Sequence, residues 1–156
     1  MLFRSLLDKL NHPSSFDFGL KSIAEKSKRA PLSPCDFKNI GRRIANHFNH
    51  PENKKATTDS LLSFINDSQN IEFNSQLLVS LITHVMDGGY HKINLEEMLH
   101  IFGPHLISMG RFSDLLTACE EAEEDTTTVA FVNFISSYIT EEKIKTTFSE
   151  IGRAHV

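Results

Sequence analysis

Residues 90–107 read YHKINLEEMLHIFGPHLI, and this stretch decides the fold. Asn94 is placed to cap a helix, and Glu97, three residues on, is placed to complete a capping box by reaching back to the Asn94 N–H. Leu95, Met98, Leu99 and Phe102 then recur at i, i+3, i+4 and i+7, which predicts one buried stripe. Gly103-Pro104 predicts the end of that helix, because proline has no amide donor and its ring opposes the carbonyl four residues back.

The flanking sequence repeats this helical period. Before it, Leu78, Leu81, Ile82 and Val85 predict a core helix over 74–86, stopped by Asp87-Gly88-Gly89. After it come a turn at 108–110, a helix over 114–123 and a last helix over 126–145 carrying Phe131, Phe134, Ile135, Tyr138 and Ile139. The acidic run Glu120, Glu121, Glu123, Glu124, Asp125 reads as a solvated helix end.

Toward the amino terminus, Phe3, Leu6, Leu7 and Leu10 predict a short helix, residues 16–19 a loop, and residues 20–28 a helix ending before Pro31. Ser33 and Asp36, with Pro34 at the first helical position, open a helix over 34–48 whose core stripe is Phe37, Ile40, Ile44 and Phe48. Residues 49–57 are polar around Pro51 and predict a surface connection, followed by a helix over 59–65. With no alternating strand pattern or repeat, the expected fold is all-α, an irregular bundle of seven or eight helices.

The chain has 156 residues, enough for one domain with a real core, and 40% of them are hydrophobic. Residues 1–55 hold 11 Lys+Arg against 5 Asp+Glu, whereas the remainder holds 5 against 15. A basic half favours an acidic or phosphate-bearing partner face, and nothing calls for nucleic acid. Cys35 and Cys119, in a sequence without a signal peptide or hydrophobic span, predict a reducing, cytoplasmic setting without disulfides. The last seven residues, EIGRAHV, resemble the translation of a sequencing adapter, so the expected domain is 1–149 and residues 150–156 are set aside as a scar.

Lys92-Ile93-Asn94, the apolar helix and Phe102-Gly103-Pro104 resemble a signature of the Rho GTPase-activating (RhoGAP) domain. KSIAEKSKRAPLSP over 21–34 resembles the Lys-rich element that runs into Pro-Leu in that family, and Pro31-Leu32 lies about 70 residues before Phe102, as the family requires. VAFVNFISSYI over 129–139 resembles its closing helix, so the likeness spans 20–139. It implies a RhoGAP-type bundle, incomplete at its amino terminus, that binds the GTP form of a Rho-family small GTPase, needs no cofactor, and has no catalytic site of its own.

Family members act by inserting an arginine finger at the nucleotide, worth on the order of 10³ to 10⁵ in rate. The finger lies in a Phe-Arg loop, and Phe3-Arg4 makes Arg4 its candidate here. Arg4, however, runs directly into the helical SLLDKL and stands too close to the Lys-rich element, so the reading is an exposed helical arginine and weak or absent activation. The family's GTPase-contacting lysine corresponds to Lys21 or Lys26. The resemblance would place a basic face of Lys21, Lys26, Lys28, Lys38, Arg42 and Arg43 near the docked GTPase. The family's asparagine five residues before Phe-Gly-Pro falls on Glu97, which as a carboxylate only accepts hydrogen bonds.

Other classes fit less well. His47-Phe48-Asn49-His50 suggests metal spacing, but the pair straddles a helix end beside Pro51 with no second ligand pair, so these and His84, His100 and His105 read as helix-surface or helix-end residues. Glu96 and Glu97 point about 100° apart on a helix and cannot share a proton. The remaining alternative is a helical protein-binding adaptor that engages no GTPase.

Overall fold

The computed structural model describes residues 2–87, 93–122 and 124–154. Among them the chain forms α1 (Phe3–Lys9), a 3-10 turn (Pro13–Ser15), α2 (Phe16–Arg29), α3 (Pro34–His47), α4 (Pro51–Asp67), α5 (Ile71–Met86), α6 (Leu95–Ser108), α7 (Phe112–Ala122) and α8 (Asp125–Ala154). No described residue lies in a strand, and the all-α expectation holds.

α5 is the central helix. Leu77, Leu78, Leu81 and Ile82 are fully buried, and α3, α6 and α7 pack around it. α3 lies directly against it at Gly41, where a Cβ would sit 2.8 Å from the carbonyl carbon and oxygen of Ser80. The α3 stripe predicted from sequence, Phe37, Ile40, Ile44 and Phe48, is buried against this crossing. Ser33 caps α3 with both halves of the box in place: its Oγ accepts from the Asp36 amide at 3.1 Å, and the Asp36 carboxylate accepts from the Ser33 amide at 3.0 Å.

α6 and α8 form the other side. Phe102 is fully buried, and Gly103 lies under the Phe134 ring of α8, whose Cζ would be 2.5 Å from a Cβ at that position. Phe134 also meets Phe112 of α7 (centroids 5.6 Å apart) and, edge-on, His100 (5.6 Å).

Several expectations are corrected. Gly103-Pro104 does not end α6, which runs on to Ser108. Pro104 removes one helical bond, the one to the His100 carbonyl, but burial of Leu106 beyond it offsets that loss. The stop lies at Gly110, with φ +72°, where the Gly110 amide donates to Ile107 O at 3.0 Å and the Arg111 amide to Leu106 O at 2.9 Å. That is the Schellman pattern, in which a left-handed glycine lets the last carbonyls be satisfied. Residues 16–19 are not a loop but the first turn of α2, since Phe16 is buried and Gly19 admits Lys9 of α1. Residues 49–57 are not a surface connection either. Pro51 takes the first helical position of α4, where its missing donor is harmless, and Thr57 is buried.

The Asn94–Glu97 box is half formed. Asn94 Oδ1 accepts from the Glu97 amide at 2.7 Å, but the Glu97 carboxylate turns instead to Lys54 on α4, 2.8 Å away. α5 ends at Met86 with Asp87 as its cap, while Gly88, Gly89 and the Tyr90-His91-Lys92 start lie outside the described residues. α8 continues past Lys145, and from Thr140 to Arg153 every residue is exposed.

Gly41→Ala should lower stability by about 1–3 kcal/mol, because backbone of α5 and not a pliable side chain stands in the way of the methyl. Gly103→Ala should cost less than Gly41→Ala, since the Phe134 ring can tilt; urea denaturation of both variants gives the order. Deleting residues 151–156 should leave the thermal midpoint unchanged, as the exposed end of α8 buries nothing, and a fall of several degrees would show that the tail packs.

Candidate functional site

α2 packs chiefly on α1 and touches α4 only lightly, leaving a groove between them. Its volume is about 710 Å³, with Ala24 and Phe64 as an apolar floor, Lys21, Glu25 and Lys28 on the α2 wall, and Asp67 to Asn70 opposite. A smaller depression of about 280 Å³ continues past Lys21 between Asp17, Asp59, Ser63 and Asp67. Lys21 stands where the two meet.

The basic residues singled out by sequence fall into two kinds. Lys21, Lys26 and Lys38 make no hydrogen bond or ion pair to any described residue. Lys28, Arg42, and Arg43 are committed. Lys28 holds Glu25 at 2.9 Å, and this hydrogen bond and its charge, aided by Arg29 and partly opposed by desolvation, hold the Glu25 carboxyl below its ordinary 4.5. A lowered carboxyl adds stability above the ordinary value and loses it as pH falls through the lowered one, and full exposure keeps this effect small. Arg42 donates to Asn39 Oδ1 at 3.2 Å, and Arg43 donates to Asn11 Oδ1 at 3.1 Å and Asp8 Oδ1 at 3.5 Å.

Nor do these cations form one patch. Arg43 lines a separate depression beside His50 and Asn53 at the start of α4, whereas the Lys21 groove lies against Phe64 and Asp67 at its end. Those two places are roughly 20 Å apart at 1.5 Å rise per residue. Arg4 is exposed on the first turn of α1, without a hydrogen bond or ion pair to a described residue. Glu97 is engaged by Lys54, with Lys54 Nζ also 3.0 Å from its second oxygen.

The histidines need one correction. His47 is buried rather than on the surface: its Nε2 hydrogen-bonds the Leu10 carbonyl, and its ring meets Phe16 edge-on at 5.3 Å, tying α3 to the α1–α2 hairpin. His50 faces Glu52 (4.0 Å) and His100 faces Glu96 (3.8 Å). Among the described residues no three His, Cys, Asp or Glu side chains converge as a metal site. Glu96 and Glu97 diverge as expected, Glu96 toward His100 and Asn133, Glu97 toward Lys54. Cys35 and Cys119 are free thiols.

Sequence reasoning missed Lys54, Phe64 and Asp67. Lys54 lies 43 residues from Glu97, and no local spacing links them. Phe64 was detectable in principle, since it adjoins the Leu61–Ile65 stripe of α4, but that it floors a groove depends on how far α2 stands off. No described helix is long and apolar enough to cross a membrane. Comparison of the chain with protein-family models, curated proteins and solved structures finds no match.

Asn94 and Glu97 separate by mutation. Asn94→Ala should cost about 1 kcal/mol as a lost cap. Glu97→Gln should cost less than about 1 kcal/mol, because its pair with Lys54 is partly exposed (31% and 40%) and screened. Urea midpoints of the two variants check the order, and a larger loss in Glu97→Gln would mean that the ion pair, not the cap, fixes the start of α6.

Proposed function

We propose that this chain is a RhoGAP-like domain that binds a Rho-family small GTPase in its GTP form, through the groove between α2 and α4, and stimulates hydrolysis little or not at all. The observation that carries the reading is Lys21: an ammonium with no ion pair to a described residue, lining a groove with Ala24 and Phe64, in the Lys-rich element that the resemblance assigns to GTPase contact. Lys26, likewise unpaired, lies five residues further along α2. An acidic partner surface gains from such charges without first breaking an internal ion pair.

Weak activation follows from what Arg4, the candidate finger, and Glu97, at the family's asparagine position, can offer. Charge on the transferring phosphoryl group is stabilised only by a donor placed at the phosphates. Arg4 is set in a helical turn instead of a reaching loop, and Glu97 brings a carboxylate already bound to Lys54. Binding survives such losses where transition-state stabilisation does not. In this reading the setting is the cytoplasm and the role is in signal transduction.

A second reading, a helical adaptor that engages no GTPase, is favoured by one observation. Asp17, Asp59 and Asp67 line the depression that continues past Lys21, which suits a partner of mixed charge.

Single-turnover GTP hydrolysis by a panel of Rho-family GTPases, with saturating domain, tests the proposal together with capture on a GTP-locked GTPase. We expect nucleotide-dependent capture, weakened by Lys21→Glu with Lys26→Glu, and hydrolysis changed by less than about tenfold, against the 10³ or more of a finger. Strong stimulation abolished by Arg4→Ala would overturn the claim of weak activity. Absence of nucleotide-dependent capture would favour the adaptor.

A further inference from the structure

We draw no further inference here: the strongest candidate, the exposed apolar stripe of Ile144, Phe148 and Ile151 along the last turns of α8, carries none because nothing in the structure shows what covers it.

Discussion

The bundle depends on the direct contact of two backbones at Gly41, where a Cβ would meet the Ser80 carbonyl at 2.8 Å. With only hydrogen at that position, α3 rests directly on the Ser80 peptide of α5. Dispersion and burial both weaken rapidly with separation, so even a methyl-sized gap there would loosen Phe37, Ile40 and Ile44 along the whole crossing. α5 carries a broad apolar face through Leu77, Leu78, Leu81 and Ile82 because α3 covers it on one flank and α6 and α7 on others. α6 repeats the device at Gly103, where the missing side chain receives the Phe134 ring and draws α8 onto the core.

Which elements were legible follows from what a one-dimensional pattern contains. Apolar residues at helical spacing located α1, α3, α5, α6 and α8, because a stripe of that period has little use other than burial. The Ser33–Asp36 box was legible since both its partners lie within one turn. The prolines were read less well. A proline is harmless at the first helical position and disruptive inside, and sequence does not say which position it holds until the helix start is known. Pro51 was therefore taken for a loop residue although it opens α4, and Pro104 for a stop although α6 carries it. Glycine was ambiguous in a similar way: Gly103 serves packing, while Gly110, seven residues on, serves the turn.

The candidate site was legible only in part. Lys21 and Lys28 were singled out and do share a groove, but its floor and far wall come from α4, which no local spacing ties to α2. The excess of cations in the first 55 residues suggested one basic face. Helices distribute neighbouring residues around their axes, so Arg42 and Arg43, adjacent in sequence, have different partners: Asn39 on the same helix, and Asn11 and Asp8 beside α1. Net charge along a chain is thus a statement about length and not about surface.

What separates the cations functionally is whether each has already been satisfied. Arg43 secures α1 to α3, Lys54 secures α4 to α6 through Glu97, and Lys28 neutralises Glu25 within one turn. A partner that recruited these groups would have to replace an existing bond, and the exchange would yield little net free energy. Lys21, Lys26 and Lys38 carry no such obligation, and Lys21 alone among them lines the groove over a rigid apolar floor. That combination supplies burial from Phe64 and Ala24 for affinity and a free charge for orientation, the division of labour found at protein interfaces. The groove lies where α2, packed chiefly on α1, meets α4 only lightly, so the packing that centres the core on α5 leaves this face open.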